Sequence, residues 1–299
     1  MRNILIIGPG RLGGQIAFRA LESRRVDKVF FKGRDYARTK GIAEDLREAF
    51  PDSKIIALDN FNSLVPVDLT FFAFSDLKWS SEIGVNDRII EGVANIKKVN
   101  QIKAEVDGQL LGDIIIISNP VDILTWHTTL AFEKMNVFGF GISLDECRIG
   151  ATVEKFSKSA CERLPCIGEH GSHIVPLLSH VLDESSLSID FYNQVRKETF
   201  AHTANIVKNV SIPFYGPLRE LKRVLDMLLL DESGTLTMSK YLEDSFLGVK
   251  HVALGVPIGV KGGLPGEVEH VQATALEAKL FADAARAVTA QKQSILLNV

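Results

Sequence analysis

Short apolar runs alternate with longer amphipathic segments through the first half of the chain. The apolar runs predict buried strands, and the segments with apolar residues at helical spacing predict helices. This alternation is typical of a parallel sheet with helices on both faces, a doubly wound α/β fold. We predict strands at about residues 3–7, 28–32, 54–58, 68–73 and 113–118, and helices over Tyr36–Phe50 and Asp87–Ala104.

The pattern changes after about residue 143. Helical stretches are predicted near 144–162, 190–210 and 216–230, strands at 234–241 and 249–260, and a closing helix from about 273 to 294. This mixture indicates an α+β unit. We therefore expect two domains, residues 1–142 with the doubly wound sheet and residues 143–299 with the α+β arrangement, and a binding cleft between them.

A glycine-rich turn follows the first predicted strand. Gly8, Gly10 and Gly13 have G-x-G-x-x-G spacing. In such a motif the first glycine permits a tight turn, the second lets the backbone approach a pyrophosphate, and the third lets helix and strand pack closely. The helix opening at Arg11 and Leu12 offers N–H groups to phosphate. The motif predicts a Rossmann-type domain that binds a dinucleotide, unless the glycines only serve the turn.

The end of the second strand indicates which dinucleotide is bound. An acidic residue is expected about 20 positions after the motif, where it binds the adenosine ribose. Gly33 stands there, and Arg34 follows. Glycine removes the charge that repels a 2′-phosphate, and a guanidinium can pair with that phosphate. We therefore favour NADP; in the alternative, Asp35 supplies the carboxylate and the cofactor is NAD.

Composition and charge exclude several other classes. The net charge is −3 over 299 residues and the basic residues are scattered, so nucleic acid is not an expected partner. No stretch approaches the ~18 apolar residues of a membrane helix, and we expect a cytoplasmic protein. Cys147, Cys161 and Cys166 lack C-x-x-C spacing, which indicates reduced thiols and neither a disulfide framework nor a zinc site.

Three motifs in the middle of the chain carry a resemblance. They read S-N-P-V-D-I-L-T (Ser118–Thr125), G-x-G-x-x-L-D-x-x-R (Gly139–Arg148) and G-E-H-G (Gly168–Gly171). With the glycine turn, Asp231–Leu242 and Gly255–Val260, they resemble the lactate/malate dehydrogenase family over nearly the whole chain. The resemblance implies hydride transfer between NAD(P) and a small L-2-hydroxy acid, in a homodimer or homotetramer.

The resemblance also assigns the acid–base chemistry. It makes His170 the proton donor to the substrate carbonyl, and histidine titrates near neutral pH. Asp145 matches the carboxylate that orients the imidazole and raises its pKa. Arg148, three residues later, matches the anchor of the substrate carboxylate. Alternatively, His170 is an ordinary packed histidine, or it forms a metal site with His173 and His180; no further ligand pair is found, so no metal is predicted.

A second arginine is implied near the start of the third predicted helix. Arg88 lies seven residues before Asn95, as the family pattern R-x6-N requires, and would polarise the substrate carbonyl. Asn119 would donate hydrogen bonds near the nicotinamide and the substrate. The alternative for Arg88 is a solvated arginine at a helix start.

The chain departs from the family pattern where the substrate is selected. Glu82 and Ser81 occupy the places six or seven residues before the loop arginine, and Lys78 is an alternative contact for a dicarboxylate. Ser75 replaces a glycine, and Pro213 falls where a small residue lines the pocket. Malate or oxaloacetate is the first expectation. The alternatives are another 2-oxo acid, lactate-like or larger, and a cofactor-binding protein without turnover.

Overall fold

The computed structural model describes residues 1–75, 85–106, 108–109, 111–157, 161–210 and 213–299, with the backbone alone at 85–87. The first half holds ten of the elements named here. The strands are β1 (Arg2–Ile7), β2 (Val26–Lys32), β3 (Lys54–Leu58), β4 (Leu69–Phe72), β5 (Asp113–Ile116) and β6 (Val137–Gly139). The helices are α1 (Arg11–Glu22), α2 (Tyr36–Ala49), α3 (Val85–Val106) and α4 (Val121–Ala131).

These six strands form a parallel sheet in the order β3-β2-β1-β4-β5-β6, which confirms the predicted doubly wound fold. Ile114, Ile115 and Ile116 of β5 are fully buried, as a β-branched run covered on both faces requires. The five predicted strands are present. Strand β6 and helix α4 were not predicted, because β6 has only three residues and α4 carries apolar residues on most of its surface.

Within the described ranges, the second half adds antiparallel strands and four α-helices. The helices are α5 (Ile142–Ser157), α6 (Ile189–Val210), α7 (Tyr215–Leu229) and α8 (Ala275–Leu296). The strands are β7 (Cys166–Gly168), β8 (Ile174–Pro176), β9 (Gly234–Tyr241), β10 (Ala253–Lys261) and β11 (Leu264–Val268). Strand β9 pairs antiparallel with β6 at Gly139 and Ser239. Within the described residues, all eleven strands therefore form one continuous sheet.

The second half follows the sequence prediction less closely. The strand expected at 249–260 begins only at Ala253, because Leu247 and His251 adopt positive φ angles in the preceding turns. Strands β7, β8 and β11 were not predicted; β7 and β8 have only three residues each, and β11 contains Pro265 and Gly266, which are uncommon in strands. None of the helices in the described ranges has the length and apolar character that a membrane crossing needs. The division at residue 142 remains a prediction.

Candidate active site

The glycine-rich turn joins β1 to α1. Gly8 has φ +95°, and a Cβ there would lie 2.6 Å from the carbonyl oxygen of Ala73. A Cβ on Gly13 would lie 2.3 Å from the Gly8 oxygen. A Cβ on Gly10, by contrast, would meet no described atom within 4 Å. Gly8 and Gly13 are thus required by packing, whereas Gly10 borders open space in front of the first turn of α1, as a phosphate-binding turn does.

A cavity of about 390 Å³ opens beside this turn, at the carboxyl ends of β1 and β2. Four residues predicted to bind the cofactor line it, namely Gly8, Gly10, Gly33 and Arg34. Lys32, Arg38 and Lys98 add further cations to the lining, and Asp35 and Glu105 add carboxylates. The cavity is thus placed to hold the adenosine half of a dinucleotide, with cations near its ribose.

Residues 33–39 form a tight local arrangement. Asp35 is the N-cap of α2, and its carboxylate accepts a hydrogen bond from the Arg38 backbone N–H at 3.0 Å. Thr39 is buried and donates its hydroxyl to the Asp35 carbonyl at 2.6 Å. A Cβ on Gly33 would lie only 2.1 Å from this Thr39 Oγ1. Glycine at position 33 is therefore required by packing against Thr39, a reason that the sequence pattern did not reveal.

The remaining residues predicted at the cofactor turn have structural partners. The Arg11 guanidinium lies 4.9 Å from the centroid of the Phe214 ring, which joins the start of α1 to the start of α7. Leu12 packs against the hydrophobic core. Pro213 is half-buried and directly precedes Phe214. The stacking of Arg11 on Phe214 thus brings the segment of Pro213 to the glycine turn.

His170, Asp145 and Arg148 lie together. The Nδ1 of His170 is 2.6 Å from Oδ2 of Asp145, whose Oδ1 accepts from Nη1 of Arg148 at 3.0 Å. The Asp145 side chain is 4% exposed. Burial lowers the pKa of His170, but the charge and hydrogen bond of Asp145 outweigh it, and the net shift is upward. Since Nδ1–H donates to a carboxylate, Nε2 is left to exchange a proton.

Two features that the sequence analysis gave no role hold the His170 loop. A Cβ on Gly141 would lie 2.6 Å from Cδ2 of the imidazole, so this glycine makes room for the ring. The carboxylate of Asp122 is buried; it accepts the His170 backbone N–H at 2.9 Å and the hydroxyl of Ser239. Burial raises the pKa of Asp122 to about 7, against the two hydrogen bonds. Asp122 belongs to the motif S-N-P-V-D, and this motif is the sequence feature that could have indicated its role.

The same motif organises the adjoining strand ends. Ser118 donates its hydroxyl to the Phe74 carbonyl at 2.6 Å and accepts the Phe74 N–H at 3.0 Å. Asn95 is fully buried on α3 and donates Nδ2 to the Asn119 carbonyl at 2.7 Å. The R-x6-N pattern therefore fixes α3 to the segment after β5, and Asn119 is half-buried between α3 and the start of α4.

Arg88 lies on the first turn of α3 that has described side chains. Its Nη1 is 2.6 Å from Oε2 of Glu91, a buried carboxylate three residues along the same helix. The Ser75 hydroxyl is 3.5 Å from the other oxygen of Glu91. No sequence motif indicated a role for Glu91. Glu82, Ser81 and Lys78, the residues expected to select the substrate, lie outside the described residues.

The histidines of the alternative metal site have separate partners. His173 Nδ1 is 2.7 Å from Oε2 of Glu169, and His180 Nε2 is 2.9 Å from the Gln272 carbonyl. In the described part of the chain, no group of histidine, cysteine, aspartate and glutamate side chains is arranged to hold a metal ion. The arrangement around His170 is thus one of hydrogen bonds between an imidazole, two carboxylates and an arginine.

Known dehydrogenases are similar to this chain over most of its length. Malate dehydrogenase from Methanosphaera stadtmanae is 29% identical over 96% of each chain. L-2-hydroxycarboxylate dehydrogenase (NAD(P)(+)) from Methanocaldococcus jannaschii is 24% identical over 87% of this chain and 88% of its own. Its curated relatives are named malate, lactate and L-2-hydroxycarboxylate dehydrogenases, which confirms the resemblance found in the sequence. No model of a protein family matches it.

The fold matches solved structures over nearly the whole length of the chain. A lactate dehydrogenase from a Medee basin deep-sea metagenome library superposes with a TM-score of 0.80, covering 99% of both chains at 17% identity. The fold predicted from the sequence is thereby confirmed.

Proposed function

We propose that the chain reduces a small 2-oxo acid to the L-2-hydroxy acid with NADPH, oxaloacetate and malate being the first substrate pair. The coarser reaction, hydride transfer between NAD(P) and a 2-hydroxy acid, is that of its family. The contact that carries the proposal is Asp145, whose two oxygens hold His170 and Arg148. One buried carboxylate thus sets the proton donor and the carboxylate anchor in a fixed relation.

The proton step follows from the hydrogen bonds of His170. When bound, the nicotinamide supplies the hydride to the carbonyl carbon. His170 then gives the proton on Nε2 to the carbonyl oxygen, which becomes the hydroxyl of the product. Asp145 stabilises the imidazolium before this transfer and keeps Nδ1–H in place afterwards. Asp122 supports the same loop through the His170 backbone N–H.

Two arginines bind the substrate in this proposal. Arg148 pairs with the carboxylate of the 2-oxo acid through two parallel hydrogen bonds. Arg88 polarises the carbonyl as negative charge develops on its oxygen. Asn119 donates to the bound substrate and nicotinamide from the segment after β5. A 2-oxo acid offers these residues a carboxylate and a carbonyl on adjacent carbons, which matches one anchor and one polarising group.

The residues around the cavity support NADP as the cofactor. Gly33 leaves no carboxylate at the end of β2, and Arg34 lines the cavity beside it. The competing ligand Asp35 already accepts a hydrogen bond as the N-cap of α2. Lys32 and Arg38 increase the positive charge of the lining. A 2′-phosphate carries close to two negative charges and is therefore favoured over a bare ribose hydroxyl.

A spectrophotometric panel tests the reaction. Consumption of NADPH and of NADH is followed with oxaloacetate, pyruvate and branched or aromatic 2-oxo acids. We expect turnover with oxaloacetate, reduced about 10²- to 10⁴-fold by His170→Asn, because a positioned general acid contributes that much. His202→Asn on α6 is the matched control. Turnover only with larger 2-oxo acids would show that oxaloacetate and malate are not the substrate pair. Binding of NADPH without turnover of any 2-oxo acid would refute the proposal that the chain is an enzyme.

A charge variant tests the cofactor preference. Arg34→Gln is expected to lower kcat/KM for NADPH about 10-fold or more, the value of one charge-assisted hydrogen bond, and to leave NADH within about twofold. Arg25→Gln is the control, because it removes an equal exposed charge just before the opposite end of β2. If the unmodified chain has a higher kcat/KM for NADH than for NADPH, the preference for NADP is refuted and Asp35 becomes the expected ligand of the ribose.

The division of labour between the two halves is part of the same proposal. Residues 1–142 would hold the dinucleotide, and residues 143–299 would supply His170, Asp145 and Arg148. Assembly as a homodimer or homotetramer and a cytoplasmic location stay predictions from the sequence. Size-exclusion chromatography with light scattering measures the first, and cell fractionation the second.

A further inference from the structure

Each arginine proposed to bind the substrate is held by a buried carboxylate three residues away on its own helix. On α5, Nη1 of Arg148 lies 3.0 Å from Oδ1 of Asp145. On α3, Nη1 of Arg88 lies 2.6 Å from Oε2 of Glu91. Both carboxylates have side chains only 4% exposed. The proposed reaction gives Asp145 a role, but it gives none to Glu91.

Burial makes Glu91 dependent on its partners. An ionised carboxylate taken out of water is kept only if charged or hydrogen-bonding groups compensate it. Burial raises the pKa of Glu91, and the charge and hydrogen bond of Arg88 and the hydroxyl of Ser75 oppose that rise. Arg88 is therefore the charged partner that offsets the burial of this carboxylate. In return, the carboxylate fixes one end of a guanidinium whose side chain is 40% exposed.

The helix that carries this pair is fixed against the proposed catalytic residues. Asn95 Nδ2 donates to the Asn119 carbonyl at 2.7 Å. A Cβ on Gly92 would lie 3.4 Å from Cγ of Pro120, so the two segments are in close contact. Asp122, two residues after Pro120, accepts the His170 backbone N–H. A short series of contacts thus relates Glu91 to the proton donor.

We propose that Glu91 is a positioning residue, which holds the guanidinium of Arg88 toward the carbonyl of the 2-oxo acid. The proposal rests on the proposed function, because it assigns Glu91 an effect only through Arg88. Glu91 then holds Arg88 on α3 where negative charge develops on the carbonyl oxygen. Asp145 holds Arg148 on α5 in the same way. A fixed arginine of this kind acts mainly on kcat, whereas the carboxylate anchor acts on KM.

Glu91→Gln is the direct test, since it keeps the shape of the side chain and removes its charge. We expect kcat for oxaloacetate reduction to fall about 5- to 30-fold, the difference between a charged and a neutral hydrogen bond, with KM within about twofold. In an Arg88→Ala background the same substitution should change kcat less than about twofold. Glu91→Asp keeps the charge and should lose less activity than Glu91→Gln. If the glutamine variant does not fold, Glu91→Asp replaces it in the comparison with and without Arg88→Ala.

Glu22→Gln is the matched control. Glu22 forms an i, i+3 pair with Arg19 between the same atoms at the same 2.6 Å, but its side chain is 45% exposed at the far end of α1. This variant should keep wild-type kinetics. Equal losses from Glu91→Gln with and without Arg88, or a lowered Tm with unchanged kcat, would overturn the proposal and leave the proposed function standing. Full activity of Arg88→Ala would overturn both the role of Arg88 and that of Glu91.

Discussion

Replacing Asp145 by asparagine tests the centre of the proposed mechanism with almost no change of shape. The carboxylate accepts from His170 at 2.6 Å and from Arg148 at 3.0 Å. Its side chain is 4% exposed, so water cannot take over either interaction. Asparagine keeps one acceptor oxygen and presents an amide N–H₂ to one of the two donors. The variant should therefore lose both the charge and one of the two hydrogen bonds.

The size of the effect follows from these contacts. Hydrogen bonds to a charged group are worth about 1.5–3 kcal/mol, so the loss of the Asp145 charge should change the pKa of His170 enough to be measured. The sign is downward: burial already lowers the pKa of His170, and the charge and hydrogen bond of Asp145 make the largest contributions that reverse that effect, with a smaller one from the charge of Asp122. Reduction needs the imidazolium, so the alkaline limb of its pH profile should move to lower pH. We also expect KM for the 2-oxo acid to rise, because Arg148 loses its partner.

The assay is kcat/KM for NADPH-dependent reduction as a function of pH, with Glu146→Gln as the control. Glu146 is the neighbouring buried carboxylate on α5, but it pairs with Arg163 and accepts from Thr237. Its variant should lose stability and keep the alkaline limb in place. If the limb of Asp145→Asn superimposes on that of the unmodified chain, Asp145 does not control the titration of His170 and the mechanism is wrong.

Three further predictions concern other contacts of the site. Arg148→Ala should raise KM for the 2-oxo acid at least about 30-fold with little change in binding of NADPH, since removing one partner of a buried charged pair costs about 2–5 kcal/mol; an unchanged KM would exclude Arg148 as the anchor. Asp122→Ala should lower the free energy of unfolding by about 1–3 kcal/mol in urea titrations, because the His170 N–H and the Ser239 hydroxyl lose their acceptor. It should also lower kcat; an unchanged kcat would show that Asp122 has no role in catalysis. Gly33→Asp alone should be destabilised by about 1–3 kcal/mol through its contact with Thr39, whereas Gly33→Asp with Thr39→Ala should recover stability and prefer NADH; equal stability of the two variants would refute the steric argument.

The sequence was sufficient for features that local patterns encode. The glycine turn shows its spacing within six residues, and the group of His170, Asp145 and Arg148 follows from motifs in a known order. The contacts of Asp122 were not predictable, because they join residues 48 and 117 positions apart. Only the folded sheet brings those residues together, at the pairing of β6 with β9.

Other omissions had a weak local signal. Glu91 lies three residues after Arg88 within a predicted helix, so an ion pair on one helical face was foreseeable. Its burial was not, since that depends on the docking of α3 against Ser75 and Pro120. Gly33 was interpreted through charge alone, because the proximity of Thr39 arises from how α2 turns back over the end of β2.

The contact between Gly33 and Thr39 also limits the evolutionary routes open to this chain. Any side chain at position 33 must displace the Thr39 hydroxyl, which itself bonds to the Asp35 carbonyl. A mutation at position 33 is therefore deleterious in the present background and tolerated only after position 39 has become smaller. The two sites are therefore epistatic. Descendants that acquire an acidic residue at position 33 should carry alanine or glycine at position 39.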